Sequence, residues 1–239
     1  MKGLPELDCS GVEALVVIAP HPDDDVLGCG SLIARAARRM PVTVVYVTDG
    51  SASHRGSANY PPERLRAVRR EEARRGLREL DPRAGAVFLD WPDGTVPRAD
   101  DPAAAPLIAA LRAHIPAEAE IAVAVPWRRD HHADHVAVAT LAAAALSERP
   151  RAIRIEYTVW LGIFGDTGDE PQMGEGCAIE LDAGPWLSAK RAAITEHRSQ
   201  LGTLITDALE AFVLPAELLE RALGPVERYI VAEPQAVRA

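Results

Sequence analysis

The sequence has few of the residues on which several protein classes depend. Its 239 residues include only three cysteines, and they are scattered, so neither a disulfide framework nor a cysteine-rich zinc site is expected. The cysteines are Cys9, Cys29 and Cys177. Aromatic residues make up 5% of the chain and the formal net charge is -9. Both values argue against nucleic acid as a partner, because such proteins commonly use aromatic platforms or basic surfaces.

Long hydrophobic runs are also missing. The longest apolar stretch, residues 136–146, is about half of what spans a bilayer, so no membrane insertion is expected. The chain begins with an acidic, proline-interrupted segment that is unlike a secretory signal. We therefore expect a cytoplasmic protein. The sequence leaves open whether the protein forms a homo-oligomer.

Strand and helix patterns alternate over the first part of the chain. Short apolar, β-branched runs are typical of strands buried on both faces, and each is followed by a helical pattern. The predicted strands cover 15–19, 42–48, 87–91 and 121–126, and the predicted helices cover 28–40, 62–80, 102–114 and 133–146. This order predicts an α/β fold with a Rossmann-like, mostly parallel, doubly wound sheet and helices on both faces.

The pattern weakens after residue 150. Strands are predicted over 154–161, 177–181 and 227–232, a helix over 185–200, and surface loops near the site over 51–62 and 162–176. We expect a single domain over 1–239. Residues 1–150 form its core, and residues 151–239 add the C-terminal strands and helices that complete the site.

Two clusters of histidine and aspartate directly follow predicted strands. The segment Pro20–Asp25 follows the first strand, and Asp130–His135 follows the fourth and opens a helix. Together they hold four of the seven histidines. Because ligands of open α/β sheets bind beyond the carboxyl ends of strands, the two clusters are expected to share one rim. Capping of the following helix would account for one acid, but not for three acids and a histidine.

The two clusters supply the ligands of a catalytic metal site. Two histidines and a carboxylate that leave one position to water are the arrangement of catalytic zinc. Zinc lowers the pKa of its bound water to around 7, so hydroxide is available at neutral pH. A neighbouring carboxylate can take the proton, and a second histidine can stabilise the developing oxyanion or protonate the leaving group. An aspartate beside that histidine would orient it and favour its cationic form.

At these residues the chain resembles the PIG-L (LmbE-like) deacetylase family. That family carries a His-Pro-Asp-Asp-Glu segment and a later His-x-Asp-His segment, which stand here as His21–Asp25 and His132–His135. The sequence departs from the pattern at Asp25, where the family usually has glutamate. Weaker similarities extend the resemblance over roughly residues 14–205, at Gly28–Gly30, Val47–Gly50, Arg69–Ala73, Lys190 and His197–Gln200.

The resemblance implies a Rossmann-like α/β hydrolase with a Zn²⁺ cofactor. Its implied activity is removal of the acetyl group from an N-acetylglucosamine-type amide, and its implied partner is a small N-acetylated sugar or glycoconjugate. By the same resemblance, the zinc ligands are His21, Asp24 and His135.

The resemblance also implies roles for five further residues. Asp23 is the general base that activates the water, and His132 stabilises the tetrahedral intermediate. Asp134 orients His132. Arg69 and Asp49 contact the substrate.

Several of these roles have alternatives. His131 can take the place of His132, and Arg69 can instead form a surface salt bridge with Glu72. Asp93 can face the sugar like Asp49, although acids at strand ends are often only turn residues. The further histidines His54, His114 and His197 are most simply structural or exposed, with His197 a candidate for lining the site.

Two other functions are consistent with parts of the pattern. The same metal site can hydrolyse another amide or a phosphoester; a two-metal phosphatase would need more bridging carboxylates, which Asp25 and Asp130 can supply. A nucleotide-binding module is disfavoured, because no glycine-rich phosphate loop follows a predicted strand.

Overall fold

A seven-stranded, mostly parallel sheet forms the centre of the protein. The computed structural model describes residues 4, 7–8, 10–117, 119–172 and 174–231, so Cys9 and Ala232 lie outside the described residues. The strands are β1 (Ala14–Ala19), β2 (Val42–Thr48), β3 (His54–Arg55), β4 (Gly85–Trp91), β5 (Ile121–Pro126), β6 (Ala152–Tyr157), β7 (Cys177–Asp182), β8 (Glu210–Ala211) and β9 (Val226–Val231).

The large sheet has the strand order β4-β2-β1-β5-β6-β9-β7. Its first five strands pair in parallel, and β9 runs antiparallel to both of its neighbours. The short strands β3 and β8 form a separate antiparallel pair.

Helices cover both faces of the sheet, as predicted. They are α1 (Asp24–Ala36), α2 (Pro62–Leu80), α3 (Ala105–Ala113), α4 (Ala133–Leu146), α5 (Leu161–Phe164), α6 (Leu187–Thr195) and α7 (Ala216–Ala222). Alternate residues of β1 point to opposite faces: Leu15 and Val17 pack with α1, α2 and α6, whereas Val16 and Ile18 pack with α3 and α4. Within the described part of the chain, no helix has the length and apolar character needed to cross a membrane.

Most predicted element bounds agree with the structure, and the differences have physical reasons. Helix α1 begins at Asp24, four residues before the predicted start, because carboxylates in the first turn favour the positive end of a helix. The predicted strand 154–161 is divided: β6 ends at Tyr157 and residues 161–164 are helical. The predicted helix 185–200 is α-helical only over Leu187–Thr195. The elements β3, β8 and α7 were not predicted, since two to seven residues carry too little periodicity.

The order of the strands creates a crevice beside β1. From β1 the chain moves outward through β2 to β4, and then returns to place β5 on the other side of β1. Neighbouring parallel strands whose connections leave in opposite directions open a crevice at their carboxyl ends, where α/β proteins bind ligands. The two predicted histidine–aspartate clusters follow β1 and β5, so both lie at this crevice.

A buried ion pair connects the C-terminal elements to α1. The Glu227 carboxylate accepts hydrogen bonds from Lys190 Nζ and the Tyr229 hydroxyl, both at 2.6 Å. It also accepts from the backbone N–H groups of Ser31 at 2.7 Å and Leu32 at 2.9 Å. Because Lys190 is only 1% exposed, neither charge has much access to water, and each depends on the other.

We predict that Lys190→Met lowers the free energy of unfolding by about 3–5 kcal/mol, because it leaves the charge of Glu227 buried without its counterion. Urea denaturation measures the change. The matched control is Arg228→Met: Arg228 pairs with Glu180 at 3.0 Å, but its side chain is 66% exposed. The control should change stability by less than about 1 kcal/mol. Equal losses in the two variants would contradict this assignment.

Candidate active site

The structure brings three histidines from two distant segments together at the crevice. His21 lies in the turn between β1 and α1, His132 is the N-cap of α4, and His135 is in its first turn. The ring centroids are 4.6 Å apart for His21 and His132, 5.4 Å for His21 and His135, and 5.0 Å for His132 and His135. Such a cluster has the composition of a metal site.

Asp24 lies between two of these rings. Its Oδ2 atom is 3.1 Å from Nδ1 of His21 and 3.1 Å from Nε2 of His135. Nε2 of His135 is buried and has no hydrogen-bond partner among the described residues. Donor atoms that bind one tetrahedral zinc at about 2.0–2.1 Å lie about 3.3 Å from each other. Both distances from Asp24 Oδ2 are close to that value, and the three side chains have the chemistry of zinc ligands.

Asp130 fixes the orientation of His135. Its Oδ2 atom is 3.2 Å from Nδ1 of His135, so Nδ1 donates and Nε2 is left as the ligand atom. Asp130 in turn accepts hydrogen bonds from the backbone N–H groups of Val159 at 3.0 Å, Trp160 at 2.9 Å and His131 at 2.7 Å. The sequence placed Asp130 in the cluster, but only the folded chain shows that it contacts the ring of His135.

Asp134 contacts a different histidine from the one expected. Its Oδ2 atom lies 3.2 Å from Nε2 of His21, and its carboxylate accepts from the backbone N–H groups of Gly94 at 2.8 Å and Val96 at 3.2 Å. Only its backbone N–H meets His132, at 3.2 Å from Nδ1. The expectation that the Asp134 carboxylate orients His132 is thus corrected: the start of α4 turns that carboxylate toward His21 and the loop after β4.

His132 is a neutral hydrogen-bond donor. Because its Nδ1 accepts from the backbone of Asp134, the ring hydrogen is on Nε2, and the ring lines the cavity. Burial, together with the positive charges of His21 and His135, lowers the pKa of His132 to about 4. The cationic form that we expected for this histidine is therefore disfavoured.

The buried acids favour positive charge at the other two rings. Burial alone would lower the pKa of His21, but hydrogen bonds to Asp134, Asp24 and Asp93 outweigh it and raise that pKa well above its usual value. For His135, the charge of Asp24 and the hydrogen bond to Asp130 overcome burial and raise the pKa to about 9. A site that stabilises protons in this way also attracts a divalent cation.

Asp23 faces the same cavity but pairs with arginine. Its Oδ1 atom accepts from Nη2 of Arg69 at 2.9 Å, and Nη1 of Arg69 donates to the Gly50 carbonyl at 2.9 Å. Burial raises the pKa of Asp23, and the charge of Arg69 opposes that rise. The surface salt bridge considered for Arg69 is wrong, because Arg69 is 3% exposed and Glu72 accepts instead from Ser199.

The cavity has a volume of about 440 Å³, within the usual range for small-molecule sites. Its polar lining consists mainly of His21, Asp23, Asp24, Arg69, Asp93 and His132. Asp49, predicted to contact substrate, is not part of the lining. Its Oδ1 atom accepts from the backbone N–H groups of Ser51 at 3.0 Å and Asp93 at 3.3 Å, so it is a turn residue that joins two loops.

Three other candidates lie away from the cavity. Nε2 of His131 pairs with Asp169 at 2.8 Å, which turns the ring away from the site. Cys29 is fully buried, and burial raises the pKa of its thiol well above the usual value, so it is no nucleophile. Asp25 accepts from the Tyr46 hydroxyl at 2.8 Å, and burial raises its pKa to about 7.

One wall of the cavity was not predicted at all. It is apolar and consists of Leu27, Trp160, Phe212 and Leu214. The last three come from the part of the chain where the strand–helix alternation had weakened. Little in the sequence indicated it: Trp160 lies at the end of the predicted strand 154–161, and Phe212 lies where no element was predicted.

The fold and the histidine–carboxylate cluster define an α/β protein whose cavity borders side chains with the composition of a metal site. The chain belongs to the family described as PIG-L: GlcNAc-PI de-N-acetylase, whose model matches residues 16–146. As a member of this family, the protein is a hydrolytic N-deacetylase. The matched segment contains both histidine–aspartate motifs.

The chain is also similar to a protein of related sequence and to solved structures of related fold. The chain is 26% identical over 190 residues to the uncharacterized deacetylase YaiS of Escherichia coli (strain K12), covering 78% of this chain and 91% of that protein. It shares the fold of N,N'-diacetylchitobiose deacetylase from Pyrococcus horikoshii, with a TM-score of 0.66, 19% identity, and coverage of 92% of this chain and 83% of that chain. The zinc-inhibited form of teicoplanin deacetylase Orf2 gives a TM-score of 0.64, 19% identity, and coverage of 91% and 97%.

The buried ring of His197 packs against α2, and its burial gives a pH-dependent prediction. Its ring is 1% exposed, and a Cβ at Gly76 would come within 2.8 Å of Nε2, so the ring fits between α2 and the turn after α6. Burial and the charge of Arg69 lower the pKa of His197 to about 3.

As the pH falls from 6.5 toward about 3, His197 binds a proton in the unfolded chain but stays neutral in the native protein. The free energy of unfolding therefore falls. His197 contributes at most about 1.4 kcal/mol of this loss per pH unit. We predict that His197→Gln makes the decline with acidification less steep. Urea unfolding at several pH values compares the two slopes, and parallel slopes would show that the ring is not held neutral.

Proposed function

We propose that the protein is a zinc-dependent N-deacetylase that removes the acetyl group from an N-acetylated amino sugar or glycosyl conjugate. The observation that carries the proposal is the position of Asp24: its Oδ2 atom lies 3.1 Å from Nδ1 of His21 and 3.1 Å from Nε2 of His135, beside a cavity that His21 and Asp24 line. The same cavity holds a carboxylate and a neutral histidine, Asp23 and His132. Family membership supports the reaction, and the donor set supports the metal.

In this proposal His21, Asp24 and His135 hold the zinc, and Asp130 and Asp134 hold the two histidines in position. Bound zinc lowers the pKa of a coordinated water to about 7 and polarises a carbonyl group. Two nitrogens and a carboxylate oxygen are ligands that zinc accepts readily.

Asp23 is the general base. It takes a proton from water as the water oxygen forms a bond to the acetamide carbon. It then delivers that proton to the nitrogen as the C–N bond breaks, so the products are acetate and a free amine. The hydrogen bond from Arg69 occupies Oδ1 and fixes the carboxylate, which leaves Oδ2 for the proton.

His132 stabilises the transition state. Its neutral ring presents Nε2–H to the cavity, where it can donate to the carbonyl oxygen as negative charge develops there. Because the backbone N–H of Asp134 holds Nδ1, the donor is oriented before the substrate arrives.

The cavity suits a substrate with several hydroxyl groups. Asp93 and Arg69 line it and offer an acceptor and donors to a sugar ring. Its residues come from 21–94, 132 and 160–214, so we propose that both parts of the chain act as one catalytic unit.

Phosphoester hydrolysis at two metals is less favoured by the geometry. Of the two acids considered as metal bridges, Asp25 is directed to Tyr46 and Asp130 to His135. Neither lines the cavity. The other group of possible metal ligands, Asp93 and Asp134 with His21, shares His21 with the first site and does not supply the two bridging acids that were considered.

The first test measures zinc content and acetate release from N-acetylglucosamine glycosides. We expect about one zinc per chain, because three ligands surround one position. Asp23→Asn should retain zinc but lower kcat about 10²–10⁴-fold, since it removes the base. Asp169→Asn, an exchange of the same type at the surface, should retain both the zinc and the wild-type kcat. An active Asp23→Asn enzyme would remove Asp23 from its role, and a wild-type enzyme that releases no acetate from any N-acetylated sugar would reject the proposal.

The second test uses two adjacent histidines as a matched pair. We expect His132→Ala to lower kcat about 10²–10³-fold with little change in zinc content, because it removes a transition-state donor. His131→Ala should leave kcat almost unchanged, since that ring pairs with Asp169 outside the cavity. The reverse result would assign the donor to His131.

A further inference from the structure

Exposed hydrophobic side chains concentrate beside the active-site cavity. Of the six large hydrophobic residues that are exposed in the described part of the chain, four lie in or next to the segments that line it. They are Phe164 at 59%, Leu209 at 86%, Phe212 at 37% and Val213 at 44% exposure. An apolar patch that borders a binding cavity marks a contact surface for a ligand or a partner.

Three aromatic rings form the centre of this patch, and we call them the aromatic rim: Trp160, Phe164 and Phe212. The ring of Phe164 is stacked on Trp160 at a centroid distance of 5.7 Å and an angle of 14°. Phe212 meets Trp160 edge-on at 5.9 Å and 73°. Trp160 and Phe212 also line the cavity that contains His21 and Asp23, so the aromatic rim is continuous with the site of reaction.

The backbone holds the aromatic rim in a fixed position relative to the metal ligands. The N–H of Trp160 donates to Asp130, the carboxylate that also orients His135. The N–H of Phe212 donates to the carbonyl of Ser53 at 2.9 Å, next to the pair of short strands β3 and β8. A ligand group on the rim would therefore lie at a defined distance from the reacting amide.

The aromatic rim belongs to the part of the chain outside the matched family segment. That segment ends at residue 146, whereas the rim comes from residues 160–164 and 212. The family match therefore includes both histidine–aspartate motifs but not the aromatic rim.

The chemistry of the patch defines what it can bind. Its charged neighbours Arg55 and Glu210 are paired in register across β3 and β8, so opposite charges lie side by side there. The chain as a whole carries a net charge of -9, which disfavours an anionic membrane surface. Aromatic and aliphatic groups with little net charge around them favour an uncharged apolar ligand group.

We propose that the substrate carries an apolar aglycone, an alkyl or aryl group attached to the acetamido sugar, which packs on the aromatic rim. This inference rests on the proposed function, because it places the acetamide at the metal ligands and the aglycone at the cavity mouth. The polar wall holds the sugar, and the apolar wall holds the aglycone. Each methylene group that is fully buried on the rim should raise kcat/KM about fourfold.

The test compares methyl, butyl and hexyl N-acetylglucosaminides and N,N'-diacetylchitobiose with the zinc-loaded enzyme, at concentrations below micelle formation. We expect kcat/KM to rise at least about tenfold from methyl to hexyl, with most of the change in KM. The hexyl compound should also exceed the disaccharide, whose second group is polar.

Two variants locate the effect. Phe212→Ser should reduce the ratio of hexyl to methyl kcat/KM to less than about threefold, because it removes part of the apolar surface. The matched control is Ile153→Ser: Ile153 is 43% exposed near the amino end of β6, at the opposite end of the strand from the site. It should retain the wild-type ratio.

The outcomes separate this inference from the proposed function. Acetate release with no dependence on chain length would overturn the aglycone subsite and leave the deacetylase proposal intact. Absence of acetate release would overturn the deacetylase proposal, and the rim is then tested by calorimetric binding of hexyl and methyl β-glucoside, which lack an acetamide. Equal binding of the two would overturn the subsite. A Phe212→Ser variant that changes from dimer to monomer would assign the patch to a contact between copies instead.

Discussion

The interaction on which the site depends is the contact of one buried carboxylate with two histidines. Asp24 lies 3.1 Å from His21 and from His135, and these residues come from opposite sides of the crevice between β1 and β5. Burial alone would raise the pKa of Asp24, but the nearby charge of His135 and the hydrogen bond and charge of His21 hold that pKa well below its usual value. The carboxylate stays ionised, so the crevice keeps the negative charge that a divalent cation requires.

Three consecutive aspartates show how position decides the role of identical side chains. Around the start of α1 successive side chains point in different directions, roughly 100° apart once the helix is formed. Asp23 reaches Arg69 and the cavity, Asp24 reaches the histidines, and Asp25 turns inward to Tyr46. In the proposed function, one segment thus supplies the general base, a metal ligand and a structural acid. Because Asp25 contacts Tyr46, it does not line the cavity.

Two further acids, Asp130 and Asp134, each contact one of the histidines. Asp130 and Asp134 each accept backbone N–H bonds from a loop and hold one ring, so loops after β4 and β6 are coupled to the ligands. Trp160 is tied to Asp130 in this way, and it also begins the apolar wall. Asp130 therefore connects the histidine cluster to the apolar wall of the cavity.

The sequence by itself determined the strand–helix alternation, most element bounds and the residue types of the site, because hydrophobic periodicity and short motifs are local. Only the tertiary structure decided which histidine each acid contacts, that Asp49 is a turn residue, and that Arg69 is buried against Asp23. It also decided that Phe212 joins Trp160 at the cavity. These are contacts between segments that are distant along the chain. Their geometry depends on strand order and side-chain direction, which no local pattern encodes.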